Sequence, residues 1–217
     1  MSLPTALVVA KAPVPGLAKT RIAADVGPDA AADLAAAALL DTLDSVVGSG
    51  LTVVVALTGD LDRASRADEL RAVLAGLVVV PQVGDMLGER LARAHLDADG
   101  GAGVVQVGMD SPQLRADDLT EAAGRLVDHA SVLGPAEDGG WWLLGVNHGS
   151  DASALATIEM STASTGQHTR EVLPGATAIL RTLRDVDTWA DAQAVAEEIP
   201  HSRFAAAVLA FGGQART

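Results

Sequence analysis

The sequence contains no cysteine. Disulfides, zinc–thiolate sites and thiol nucleophiles are therefore excluded together, and the chain suits a reducing compartment. Aromatic residues make up only 2% of it. A packed core must then be built from Ala, Val and Leu, and few rings are left to stack on bases. Positive charge is scarce as well: 15 Lys and Arg against 28 Asp and Glu give a formal net charge of −13. Nucleic acid is excluded as a partner, because phosphate binding there needs cations spread over a broad face. A single nucleotide needs only a few that converge, so the placement of each cation matters more than the total. No apolar run approaches the ~20 residues of a membrane span. The start, MSLPTALVVAK, lacks a charged n-region and a small-residue cleavage site, so no signal peptide is expected. These absences point to a soluble cytoplasmic protein.

What is present is apolar and periodic. Hydrophobic residues make up 49% of 217 residues, enough for one domain of ordinary size over residues 1–217. Short apolar runs at Ala6–Ala10, Leu51–Leu57, LVVVPQ, Gly103–Gly108, ASVLGP and Trp141–Val146 read as strands, the first buried on both faces. Between them lie helical patterns: the Ala-rich Asp29–Val47, LDRASRADELRAVLAG, Leu87–Ala98 and RADDLTEAAGRLVDH. After Val146 the pattern loosens into a helix at TGQHTREVL, a strand in ATAILRTL and a capped helix at DTWADAQAVAEEI. Strands that alternate with helices specify an α/β fold with a mostly parallel sheet. Ligands of such sheets sit beyond the carboxyl ends of the strands, so chemistry is sought in the loops that follow strands.

The first such loop is KAPVPGLAKTRI, Lys11–Ile22. It is neither a P-loop nor a G-x-G-x-x-G, and Pro13 and Pro15 remove two N–H groups that a phosphate cradle would use. It carries Lys11, Lys19 and Arg21 around a Pro/Gly turn at Gly16. One cation there would be an ordinary strand-end charge; three point to phosphate binding, helped by a nearby helix N-terminus. The loop GMDSPQL presents Asp110, which suits either a divalent cation bridging a diphosphate or a helix cap before a Pro turn. The loop GPAEDGGWW presents Glu137 and Asp138 before two glycines. Such a pair serves as a base, since repulsion raises one pKa, or forms an acidic hairpin turn. With alternation along a strand, Trp141 and Trp142 divide between core and a sugar-stacking face. In RDVDTWADA, Asp187 either caps the next helix or is a second metal ligand. The five histidines show no metal-binding spacing.

In order along the chain, K-x-P-x-P-G-x-x-K-T-R, Q-x-G-D-x-L-G-E-R, G-x-D-S-P, G-P-A-E-D-G-G and D-V-D-T resemble a bacterial family of GT-A-fold transferases, the DUF2064 family, associated with an arsenosugar-related role. The resemblance runs from about Val8 to Asp191. It implies a three-layer α/β/α nucleotide-diphospho-sugar transferase fold, a divalent metal (Mg²⁺ or Mn²⁺), and a nucleotide or nucleotide-sugar with a small acceptor as partners. It further implies nucleotide contacts from Lys11, Gly16, Lys19, Arg21, Gln82, Gly84, Asp85 and Arg90, and metal contacts from Asp110 and Asp187. Glu137 and Asp138 match the family's E-D-G-G, and of the two catalytic candidates Asp138, ahead of Glu137, is assigned here as the acceptor-activating base. Trp141 and Trp142 stand where the family usually has Tyr, and Met160 where Trp is usual, both on the acceptor side. The segments AKTRI and DGG are also similar to phospholactate guanylyltransferases of the same fold. Glycosyl transfer is thus favoured over nucleotidyl transfer, whose usual G-x-G-[ST]-R-M start is missing. A nucleotide-sensing module without turnover is the non-enzymatic alternative.

Overall fold

The structure is a computed structural model that describes residues 2–212. Its strands are β1 (Thr5–Lys11), β2 (Thr52–Thr58), β3 (Val78–Pro81), β4 (Val104–Gly108), β5 (Ser131–Pro135), β6 (Trp141–Val146) and β7 (Thr177–Ile179). They form one sheet in the order β3-β2-β1-β4-β6-β5-β7. Only β6 runs antiparallel, against β4 and β5. The reason is local: β5 and β6 are joined by Ala136–Gly140, too short for the crossover that parallel strands need. The carboxyl ends of β1, β2, β3, β4, β5 and β7 therefore share one edge, where β6 begins.

Helices cover both faces: α1 (Thr20–Val26), α2 (Pro28–Gly48), α3 (Ala67–Leu74), α4 (Leu87–Ala98), α5 (Ala116–Arg125), α6 (Thr165–Val172), α7 (Trp189–Glu198) and α8 (Arg203–Gly212). None of them is long and apolar enough to cross a membrane. On one face, Val8, Val105, Val107 and Leu143 pack under Leu39, Leu40 and Leu43 of α2 and Leu119 of α5. On the other, Leu7, Leu144 and Val146 pack under Leu91 and Ala94 of α4. The scarcity of aromatics is met as expected, by small aliphatic side chains at full burial.

Two departures from the sequence expectation have physical causes. The stretch LDRASRADELRAVLAG is not one helix. A 3-10 turn at Leu61–Arg63 precedes α3, and Arg66 between them takes a left-handed φ of 51°. Its guanidinium grips Asp33 in a fork, both bonds at 2.7 Å. Helix α1 and helix α8 were not legible as separate elements. Ser202 starts α8 by accepting from the Ala205 N–H at 2.9 Å, and buried Asp41 of α2 accepts from the Phe204 N–H at 2.8 Å. Within α4, buried His95 donates through Nδ1 to the Leu91 carbonyl, and burial pushes its pKa down to about 4. The imidazole is thus a neutral core group rather than a ligand.

Candidate active site

A cleft of about 490 Å³ opens at the carboxyl edge of the sheet, between the loops after β4, β5 and β7 and the segment before α6. Its charged walls are Asp110, Asp138, Asp185, Asp187 and Arg21. Each is placed by a short local device. Apolar β4 delivers Asp110 just past its end. The tight loop after β5 delivers Asp138: Ala136 N–H donates to the Gly140 carbonyl at 3.1 Å, and Gly139 N–H to the Ala136 carbonyl at 3.2 Å. The Asp138 carboxylate accepts from the Gly140 N–H at 2.8 Å. Gly139 needs to be glycine, with φ 89° and a Cβ that would collide with the Ala163 carbonyl. The two segments interlock there, because Gly166 N–H donates to the Gly139 carbonyl at 2.8 Å.

The acidic hairpin turn is therefore also what holds a carboxylate at the cleft. Its two acids part company: Asp138 faces the cleft, while Glu137 turns outward to Arg184, Nε to Oε2 at 3.1 Å. The carboxyl that is raised, to about 7, is Asp185. Burial is the main cause, followed by the negative charges of Asp138 and Asp110, with Lys19 opposing. Asp185 lies two positions before Asp187 in RDVDTWADA, and the sequence gives it no role. No spacing rule marks it; only the return of the chain after β7 brings it against a loop more than 40 positions earlier.

The cations of the first loop separate too. Lys19 is half-buried at the start of α1, with a left-handed φ of 46°. Its Nζ lies 3.0 Å from Asp110 Oδ1 and donates to the Val186 carbonyl. Arg21 lines the cleft and pairs with Asp187 at 2.9 Å. Lys11 folds back instead, donating to the Leu17 carbonyl at 3.2 Å, and Gly16 (φ 77°) shapes that turn. Neither lies on the cleft wall. Gln82, Gly84, Asp85 and Arg90 also stand off it, beyond the end of β3. The Gln82 amide nitrogen donates to the Ala10 and Ala56 carbonyls at 2.7 and 2.9 Å, tying the ends of β1 and β2. Gly84 (φ 135°) packs on Glu89, whose carboxylate accepts from the Asp85 N–H at 2.9 Å.

The tryptophans divide as alternation requires. Trp142 is 2% exposed in the core, donating to the Arg181 carbonyl. Trp141 is half-buried at the cleft and donates to Thr169 Oγ1 at 3.1 Å. Asp187 does not cap α7. Thr188 does, accepting from the Asp191 N–H at 3.2 Å while Asp191 accepts from the Thr188 N–H at 2.9 Å. Accordingly, Thr188→Val is expected to lower stability by about 1 kcal/mol, and Asp187→Asn by much less. Chemical denaturation of both variants checks this, and the reverse order would restore Asp187 as the cap.

Among the described residues, no group of three or more His, Asp or Glu is arranged to hold a metal ion. Catalytic Mg²⁺ usually takes one or two carboxylates, with the substrate's phosphates and water completing the shell. The donor set fits that mode: the carboxylates of Asp110 and Asp187 both line the cleft, each now neutralised by a cation side chain. With Lys19 on Asp110 and Arg21 on Asp187, the carboxyls of Asp138 and Asp185 still leave the walls acidic toward a diphosphate that arrived without a cation.

Known structures share this architecture. A candidate nucleotide-diphospho-sugar transferase from Desulfovibrio desulfuricans G20 is 27% identical, with a TM-score of 0.86 over 100% of this chain and 98% of its own. Rv0371c from Mycobacterium tuberculosis H37Rv, in complex with manganese, is 18% identical, with a TM-score of 0.55 over 88% and 96%. CMP:2-keto-3-deoxy-manno-octonic acid synthetase complexed with CTP is 11% identical, with a TM-score of 0.59 over 92% and 99%. The last two similarities are of fold alone. No curated protein matches the chain. The fold is that of nucleotide-diphospho-sugar transferases, as the motifs implied. Residues 39–162, more than half of the sequence, match the family described as "Uncharacterized protein conserved in bacteria (DUF2064)", and the chain belongs to it.

Proposed function

We propose that this protein is a glycosyltransferase that moves a sugar from a nucleoside-diphosphate donor to a small acceptor, in the cytoplasm, with a divalent metal. The observation that carries the proposal is the single carboxylate of Asp138. It faces the cleft in front of Gly139 and Gly140, while its neighbour Glu137 is turned away to Arg184. A carboxylate held in that way can take the proton of an acceptor hydroxyl as the hydroxyl attacks the sugar. Asp138 is the base, and Glu137 braces its loop. Lys19 and Arg21 stabilise the charge that develops on the departing diphosphate. Asp110, with Asp187, would hold the metal, which supplies further charge neutralisation at the diphosphate. The segment from Gln82 to Arg90 is proposed to lie along the nucleoside, with the Gln82 amide holding the strand ends in place.

Nucleotidyl transfer is the second proposal. The CTP-bound neighbour favours it, as do Arg21 on the cleft wall and Lys19 against Asp110 beside it. The two are separated by product. Incubation with a panel of nucleotide-sugars and nucleoside triphosphates, with Mg²⁺ or Mn²⁺, is expected to release nucleoside diphosphate from a nucleotide-sugar. Release of pyrophosphate from a triphosphate instead would establish nucleotidyl transfer. Release of neither, with nucleotide bound, would point to a sensing module.

A further inference from the structure

Part of the cleft lining is apolar: Val9, Leu87, Leu91, Trp141 and Met160 line it and belong to one core cluster. A polar group of β4 is set into the same cluster. Gln106 of β4 lines the cleft yet is only 2% exposed. Its strand neighbours in register are Leu7 and Leu144, both fully buried. Its Oε1 has no hydrogen-bond partner. A buried amide with an unsatisfied oxygen costs folding free energy. A Leu at this position would match the layer around it.

We infer that Gln106 is the recognition group of an acceptor subsite, and that the acceptor is neutral, hydroxylated and apolar on one face. This inference rests on the glycosyl-transfer proposal for the same cleft. An amide offers one acceptor and two donors, which complements a hydroxyl, itself both donor and acceptor. Trp141, fixed by its bond to Thr169, gives a flat apolar surface for the C–H face of a ring. Charge sets the other condition. The walls carry Asp110, Asp138, Asp185 and Asp187, and the two cations near them are already paired, Lys19 to Asp110 and Arg21 to Asp187. A phosphorylated or carboxylated acceptor would meet carboxylates with no free cation to receive it.

Saturation-transfer NMR and titration test this on the whole protein, without nucleotide-sugar. The probes are phenyl β-D-glucopyranoside and phenyl β-D-ribofuranoside, against glucose 6-phosphate and ribose 5-phosphate. The neutral glycosides are expected to bind and the phosphates not to. Gln106→Leu should weaken glycoside binding at least about tenfold, since a site built for a hydroxyl loses its partner. The same variant should melt at or above the wild-type temperature, because the orphan amide is gone. Trp141→Leu should weaken the glycosides too, by loss of the ring face. Tighter binding of the phosphates, no binding of either glycoside, unchanged affinity in Gln106→Leu, or a lower melting temperature in that variant would each overturn the inference. No turnover is read here, so failure leaves the transferase proposal standing. Bound glycoside without diphosphate release from any nucleotide-sugar would overturn that proposal instead.

Discussion

Asp138→Asn is expected to bind a nucleotide-sugar as the wild type does and to turn it over roughly 10²–10⁴-fold more slowly, the usual contribution of a positioned base. The substitution keeps the shape of the side chain. It also keeps an oxygen to accept from the Gly140 N–H, now 2.8 Å from Oδ1, so the hairpin should hold. What it removes is the proton acceptor. Glu137→Gln provides the contrast. Glu137 is exposed, and its partner Arg184 is exposed enough that the pair contributes little, about 0–1 kcal/mol. Its turnover should stay within a few-fold of wild type. Diphosphate release, measured beside donor affinity, separates the two variants. Full turnover in Asp138→Asn with loss in Glu137→Gln would exchange their roles. Full turnover in both would leave the hairpin as structure only and move nucleotidyl transfer ahead.

The fold was legible because its signals are short-range. Leu87–Ala98 and Trp141–Val146 begin and end as elements where the periodicity said they would. The site was legible one loop at a time, since each apolar strand announces the loop behind it. What sequence could not supply was the pairing between loops. Lys19 and Asp110 are ordinary as single residues, and only the return of β4 beside β1 brings them to 3.0 Å. Asp185 has no local mark at all; its raised pKa comes from burial and from Asp138 and Asp110. Gln106 reads in sequence as one polar interruption in an apolar strand. Its meaning depends on which sheet face it occupies and on what else lines that face. Helix α8 had a signal that went unused: Ser202 as a cap, ahead of Phe204 and Val208, both buried in the finished structure.

Lys19→Met is the other large effect. The side chain is 10% exposed, and its ammonium is held between the Asp110 carboxylate and the Val186 carbonyl. It stands where Asp110, Asp138 and Asp185 concentrate negative charge, and it alone opposes them among the causes of the Asp185 shift. Met keeps the length and the packing of the stem while removing the charge. A charge-assisted contact to phosphate is worth about 1.5–3 kcal/mol, so nucleoside-diphosphate affinity should fall roughly ten- to hundredfold. Arg21→Met should lose less, because that side chain is 74% exposed and its charge is screened. Loss of the cation also leaves Asp110 without its partner, so Mn²⁺ should raise the melting temperature of Lys19→Met more than that of the wild type. In Asp110→Asn the metal dependence of nucleotide binding should disappear, since the carboxylate is gone while Lys19 remains. Calorimetry with nucleoside diphosphate, with and without Mn²⁺, gives both readouts. Wild-type nucleotide affinity in both Lys19→Met and Arg21→Met would remove the first loop from the phosphate site. Undiminished metal dependence in Asp110→Asn would move the ion to another carboxylate of the cleft.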